Sequence, residues 1–255
     1  MLEFAEYAVW APTLLLVIVR IAGIFVTAPL LSDPSIPAAV KAIVSVVIGL
    51  AVTGRLAAPA SLPADWASLV LGIGGEMLIG AILGLSTSLL LAGLEIAGEQ
   101  IGQQMGIALA EVFNPLTEAT TNVMGQLMHL TGLAVFLLIG GHRMMLHGLL
   151  ETFSTVPLLG FGLPEHLVDV TVALLTAAFI LSLKLAAPVL VAMLLTELAM
   201  GLIQRTMPQF NILSTGFQVR VVVSGTVLAI SVAALAPLIE QAWAAASAMI
   251  AGLFP

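Results

Sequence analysis

Glu95, Glu99 and Gln103 recur every fourth residue and Glu111 falls two turns beyond Gln103, so on a helix the four line one edge. Carboxylates in such a row can relay protons, line a water path, or face solvent at a helix end. Like charges at this spacing repel, and a carboxylate in hydrocarbon costs about 2.5–3.5 kcal/mol on insertion scales. The row must therefore meet water, protein or protons. Other reactive residue types offer less. His142 and His147 are five apart in GHRMMLH, off the i, i+4 spacing of a helical metal pair, and HExxH, GxSxG and phosphate-loop motifs are absent. Ser224 in VSGTV has no His nearby in sequence to act as base, and serine is a common packing residue between apolar helices. Met124, Met128, Met144, Met145 and Met207 belong to a set of eleven methionines, a residue that fills irregular apolar gaps. No catalytic residue, metal site or cofactor is expected.

The carboxylate row runs beside a stripe of small residues. Gly98, Gly102, Gly106 and Ala110 also fall four apart, and without side chains there a second backbone can approach closely. The helix is expected to stop after Ala110, because Asn114 precedes Pro115 and the residue before proline is pushed out of helical conformation. A Thr-rich loop, FNPLTEATTN (113–122), follows. At membrane depth, irregular backbone is tolerated only where it is buried in protein or lines a cavity. A loop at that depth would be a gate or plug.

The elements that must hold these residues are apolar. The chain has 255 residues, of which 60% are hydrophobic and 8% charged, and its mean hydropathy is +1.18; soluble domains are roughly 45–50% apolar and 25% charged. It reads as an integral membrane protein. Apolar segments at 8–31, 38–58, 66–94, 127–150, 167–203 and 219–254 are predicted helices, separated by APLLSDPSIP (28–37), GRLAAPASLPADW (54–66), the 113–122 loop, HGLLETFSTVPLLGFGLPEH (147–166) and QRTMPQFNILSTG (204–216). Lys184 and Pro188 make the 167–203 run either a hairpin or one kinked helix.

Net charge is −7 without a Lys/Arg cluster, which argues against nucleic acid or anionic headgroups as partners. With no cysteine, disulfides and thiolate sites are excluded. Glu3 and Glu6 replace the basic region of a cleavable signal, so the first apolar run is expected to remain. Lys41, Arg55, Arg143 and Lys184 are scattered, and only Arg205 and Arg220 form a local pair. By the positive-inside rule this weakly favours a cytoplasmic 205–220 turn, with the acidic 95–126 region away from it. So poor a fit also suits helices that are not ordinary spans.

GEQIGQQMG followed by FNP resembles the R proteins (FliR) of the flagellar type III export gate and their SctT-like injectisome counterparts. Arg20, Ala28-Pro29, Ile36-Pro37, Lys41 and GEMLIGAILG (75–84) are similar to the family's early pattern. MGLIQRTMPQFNILSTGFQ (200–218) resembles its most recognisable segment, with Arg205, Pro208, Gln209, Asn211, Gly216 and Phe217 in place. Gln204 stands where many relatives have Asn, and Gln218 where they often have Pro.

The resemblance implies an all-α membrane protein without enzymatic activity. It would assemble with P and Q subunits (FliP, FliQ) into a helical, cone-like hetero-oligomeric gate for unfolded export substrates, with the B switch subunit (FlhB) docked on it. The expected location is the bacterial inner membrane, in the flagellar basal body, raised toward the periplasm. Residues 1–165 would be P-like and include a plug loop at 106–122, and 166–255 would be a Q-like helical hairpin region. Gly106, Glu111, Phe113, Asn114 and Pro115 are the expected plug, and Gly98, Gly102 and Gly106 its packing stripe. The rival reading is a proton-coupled secondary transporter using Glu95, Glu99 and Glu111, with a helix broken near Asn114. Against it, the second half of the chain does not echo the first.

Overall fold

A computed structural model describes residues 2–54, 56, 65–107, 122–160, 167–207, 212–233 and 235–251. Among these residues the fold is all-α: α1 (Leu2–Thr27), α2 (Ala38–Thr53), α3 (Trp66–Met105), α4 (Val123–Leu138), α5 (Gly141–Thr155), α6 (Leu167–Thr206), α7 (Ile212–Val232) and α8 (Leu235–Ala251). A helix is the state in which an apolar segment satisfies its own backbone polar groups without water. Four stretches are long and apolar enough to cross a membrane, Trp10–Thr27, Trp66–Met105, Val168–Thr206 and Thr215–Val232; counting α4 and α5 as one broken span makes five.

Several boundaries differ from the sequence expectation. The 127–150 run is not one helix: Gly140, at φ +78°, ends the path of α4 and starts α5, a conformation glycine adopts without steric penalty. α5 then continues to Thr155, into the segment read as a connection. The 167–203 run is one helix, α6, with Pro188 inside it. The 219–254 run divides into α7 and α8, and Pro237 falls in the first turn of α8, where no N–H is needed. α7 begins at Ile212, so Gly216 and Phe217 are helical rather than in a loop. α3 stops at Met105, short of Ala110, because Gly106 turns left-handed (φ +80°) and its N–H bonds Gln103 O at 3.0 Å.

The chain forms two compact units. The first draws on 1–89, 140–174 and 243–255. Here α1 and α3 meet backbone to backbone: a Cβ on Gly80 would overlap the Arg20 carbonyl oxygen, and one on Gly84 would overlap Thr27 Oγ1. Thr27 Oγ1 donates to Ala81 O at 2.8 Å, and Ser88 Oγ donates to Thr27 O, tying the same crossing with polar bonds. Leu16, Ile21, Ile24, Ile79 and Leu149 fill the surrounding core. α2 packs on α1 through its own small-residue stripe, Ser45, Gly49 and Thr53, with Gly49 facing Ile18. In the turn between them, the Ser35 hydroxyl and then its backbone N–H hold the Asp33 carboxyl below the usual carboxylate range.

The second unit draws on 90–139 and 175–242. Gly93 of α3 lets α6 approach, since a Cβ there would lie 2.5 Å from Ala178 O. Leu94, Ile101, Met128, Leu185 and Met193 are among its large, fully buried side chains.

Candidate functional site

The second unit carries the seam between α3 and α4, where the polar row and the glycine stripe lie. α4 starts at Asn122, whose side-chain oxygen accepts from Met124 N at 2.9 Å and Gly125 N at 3.4 Å, an N-cap that satisfies two of the helix's free donors. Gly102 lies against this cap: a Cβ on it would sit 2.7 Å from Asn122 Oδ1. One turn earlier, a Cβ on Gly98 would be 2.5 Å from Met124 O. Gly125 answers from α4, where a Cβ would lie 3.0 Å from Glu99 Cγ. Glycines on both helices thus let the two backbones close around the acidic row.

Glu95 and Glu99 are half-buried along this seam, whereas Gln103 is exposed. Across from Glu95 stands His129 of α4, its Nδ1 3.4 Å from Glu95 Oε2. The distance suits an ion pair with a protonated ring, although the nitrogen is not aligned for a hydrogen bond. Sequence reasoning missed His129, because nothing short of the α3–α4 pairing connects it to the row. Gly106 ends α3 one turn beyond Gly102. Gly106 and the Asn122 cap therefore stand at the same end of the seam.

The other plug residues, Glu111, Phe113, Asn114 and Pro115, lie outside the described residues, as does Ala110. So do Pro208, Gln209 and Asn211 of the late motif; Arg205 is exposed at the end of α6, Gly216 is buried in α7 and Phe217 is exposed there. Glu197 of α6 and Arg220 of α7 pair at 3.3 Å, partly exposed, across that connection. His147 pairs with Glu151 on its own helix at 3.3 Å. Ser224 Oγ donates to Arg220 O at 2.6 Å, a bond within its own helix. Among the described residues no group of three His, Cys, Asp or Glu could hold a metal ion.

Gly102→Leu forces a four-carbon side chain against the Asn122 cap, and overpacking of this kind costs about 1–3 kcal/mol or more. Gln104→Leu, on an exposed position of the same turn, is the control. Complex yield should fall for the first and hold for the second; equal yields would remove the close-packing role of Gly102.

A second polar constellation sits in the first unit. Arg20 of α1 and Glu76 of α3 are both 0% exposed and pair at 2.6 Å through Nε and Oε2. Arg20 Nη1 also donates to Thr152 O at 2.9 Å, Nη2 donates to Val156 O at 3.2 Å, and the guanidinium lies 4.5 Å from the Phe153 ring centroid. Glu76 Oε1 accepts from Leu159 N at 2.8 Å. That bond holds Leu159 at φ +64°, a strained setting for a residue with a side chain, and Gly72 leaves room for it. A buried charge pair survives only when its remaining donors and acceptors are also met, and here they are. Sequence reasoning noted Arg20, and Glu76 within GEMLIGAILG, only as parts of a motif. The available signal was one isolated charge of each sign inside an apolar run.

Comparison with known proteins identifies the chain's relatives. It is 31% identical to the flagellar biosynthetic protein FliR of Escherichia coli over 230 residues, covering 88% of this chain and 85% of that one. It is 30% identical to FliR of Bacillus subtilis over 217 residues, covering 84% and 83%. Yop proteins translocation protein T of Yersinia pestis is 28% identical over 168 residues, covering 65% and 64%. The family described as bacterial export proteins, family 1, matches residues 11–246. That match takes in both the Arg20–Glu76 pair and the α3–α4 seam, and the chain belongs to this family of flagellar and type III export components.

Proposed function

We propose that the chain is a non-enzymatic core subunit of the type III protein export gate. In this reading it assembles with P and Q subunits (FliP, FliQ) in the bacterial inner membrane at the flagellar basal body, with the B switch subunit (FlhB) docked on the assembly, and passes unfolded substrates. The observation that carries the proposal is helix length. α3 and α6 each have 40 residues, about 60 Å at 1.5 Å per residue, roughly twice the 30 Å hydrocarbon core. Both contain a stretch apolar enough to cross a membrane, and α6 still exposes Leu194, Leu195, Leu198 and Leu202 toward its C-terminal end. Bilayer alone is too thin to cover such surfaces, and protein neighbours must do so. A cone of packed subunits raised from the membrane toward the periplasm meets that need.

Within the gate, residues 106–122 act as the plug, with Phe113, Asn114 and Pro115 at its tip and Gly98, Gly102 and Gly106 supporting it. The packing of Gly102, near the end of α3, on the Asn122 cap that starts α4 supports this assignment. The part up to residue 165 plays a P-like role, and 166–255 a Q-like one.

Co-expression tests the proposal. With P and Q subunits, the chain should purify as one hetero-oligomer whose intact mass contains all three. Without them, it should be degraded or polydisperse, because its small-residue stripes and long apolar faces lack partners. A monodisperse homo-oligomer from expression alone would speak for a transporter instead.

A further inference from the structure

Lys184 lies near the middle of the 40-residue α6, on the order of 25 Å or more from either end. It is exposed, and no carboxylate among the described residues pairs with it. The other charge well inside α6, Glu197, is paired with Arg220. Four residues on, Pro188 is also exposed on the same face. Proline has no N–H, so the carbonyl of Lys184 itself lacks its helical donor. One spot thus presents an ammonium beside a carbonyl that Pro188 cannot serve. Around it the face is apolar: Ile180, one turn back, is 49% exposed, Val191, two turns on, 57%, and Leu195, three turns on, 61%.

Water over this face would leave those large apolar side chains uncovered. Lipid over it would leave a mid-helix cation without a counter-charge, which costs about 2.5–3.5 kcal/mol on insertion scales. A protein helix that is apolar and carries a carboxylate at this level meets both demands. We propose that the α6 face centred on Lys184 docks an apolar helix of another gate subunit, whose Asp or Glu side chain pairs with the Lys184 ammonium. The inference rests on the gate reading for the existence of that subunit and goes beyond it in naming the surface and its complementary charge.

Lys41 and Lys184 are the lysines of the chain, which makes a direct test available. In complex carrying Lys41→Arg, a hydrophobic carbodiimide should join Lys184 to a carboxylate of a co-expressed subunit as an amide, mapped by mass spectrometry. The product should vanish in Lys41→Arg/Lys184→Met. Lys184→Glu should lower complex yield by roughly tenfold or more, since like charges then face each other in a desolvated contact. Reversing the mapped carboxylate to Lys should restore it. A complex that forms normally with Lys184→Glu and gives no cross-link through Lys184 overturns this surface and leaves the gate reading standing. A cross-link to a second copy of this chain also overturns the proposed partner. A parent chain that captures no other subunit overturns the gate reading and this surface together.

Discussion

Replacing Arg20 by Ala is expected to destabilise the folded chain by about 3–5 kcal/mol, the cost of leaving one member of a buried ion pair alone. Among the described residues, Glu76 would keep its bond from Leu159 N, and the Val156 carbonyl would lose the donor that Arg20 supplies. Glu76→Ala should cost as much from the other side. The informative variant is Arg20→Met with Glu76→Leu, which removes both charges at similar volume. If charge alone mattered, it would match the parent or exceed it. Here the pair also serves Val156 O and Leu159 N, and each buried orphan costs about 1–3 kcal/mol. The double variant should therefore fall between the single variants and the parent in the thermal melting of purified complex. Single variants that melt with the parent would show the pair to be dispensable. Arg20→Lys should behave like a single loss, because a compact ammonium cannot span the partners that a planar guanidinium reaches at once.

The second large effect concerns the loop. Deleting Phe113–Leu116 while keeping Gly98, Gly102 and Gly106 should leave assembly intact and raise small-ion leakage across the membrane by on the order of tenfold or more, as an emptied constriction fills with water. Assembly should survive because Gly102, one turn before Gly106, lies against the Asn122 cap, and the remaining residues, at about 3.3–3.6 Å each, span the gap with length to spare. A proton relay predicts the reverse pattern: changing Glu95, Glu99 and Glu111 to Gln would abolish coupled transport without opening a pore. Conductance and complex yield should be measured together for both sets. A shortened loop that assembles and stays as tight as the parent is not the plug.

The helical class and most helix positions were legible because apolar runs of this length have one stable backbone state in lipid. Gly98 and Gly102 both sit where a Cβ would press on α4. The breaks were harder. Gly140-Gly141 lies inside the 127–150 run, where glycine reads equally well as a packing residue, and only the left-handed φ reveals a boundary. α6 shows the opposite case, for Pro188 kept its helix whole. The partners of polar side chains were not legible. Arg20 and Glu76 are 56 residues apart, and Glu95 finds His129 only once α3 and α4 are paired. Periodicity reports which face a residue occupies; it carries no information about which helix lies opposite.

The separation within the Arg20–Glu76 pair also bears on the order of synthesis. Ribosomes deliver Arg20 first, in a span otherwise apolar enough to enter the bilayer (Trp10–Thr27), while its counter-ion is still untranslated and the carbonyls of Thr152 and Val156 are later still. A lone arginine weakens the commitment of that first span to hydrocarbon. α1 thus comes to rest only after α3 has followed it out, and the residues around 152–159 seal the pair last. Nascent chains arrested before Glu76 should hold α1 loosely, and those arrested beyond Leu159 firmly, so that the earliest span made is among the last to settle.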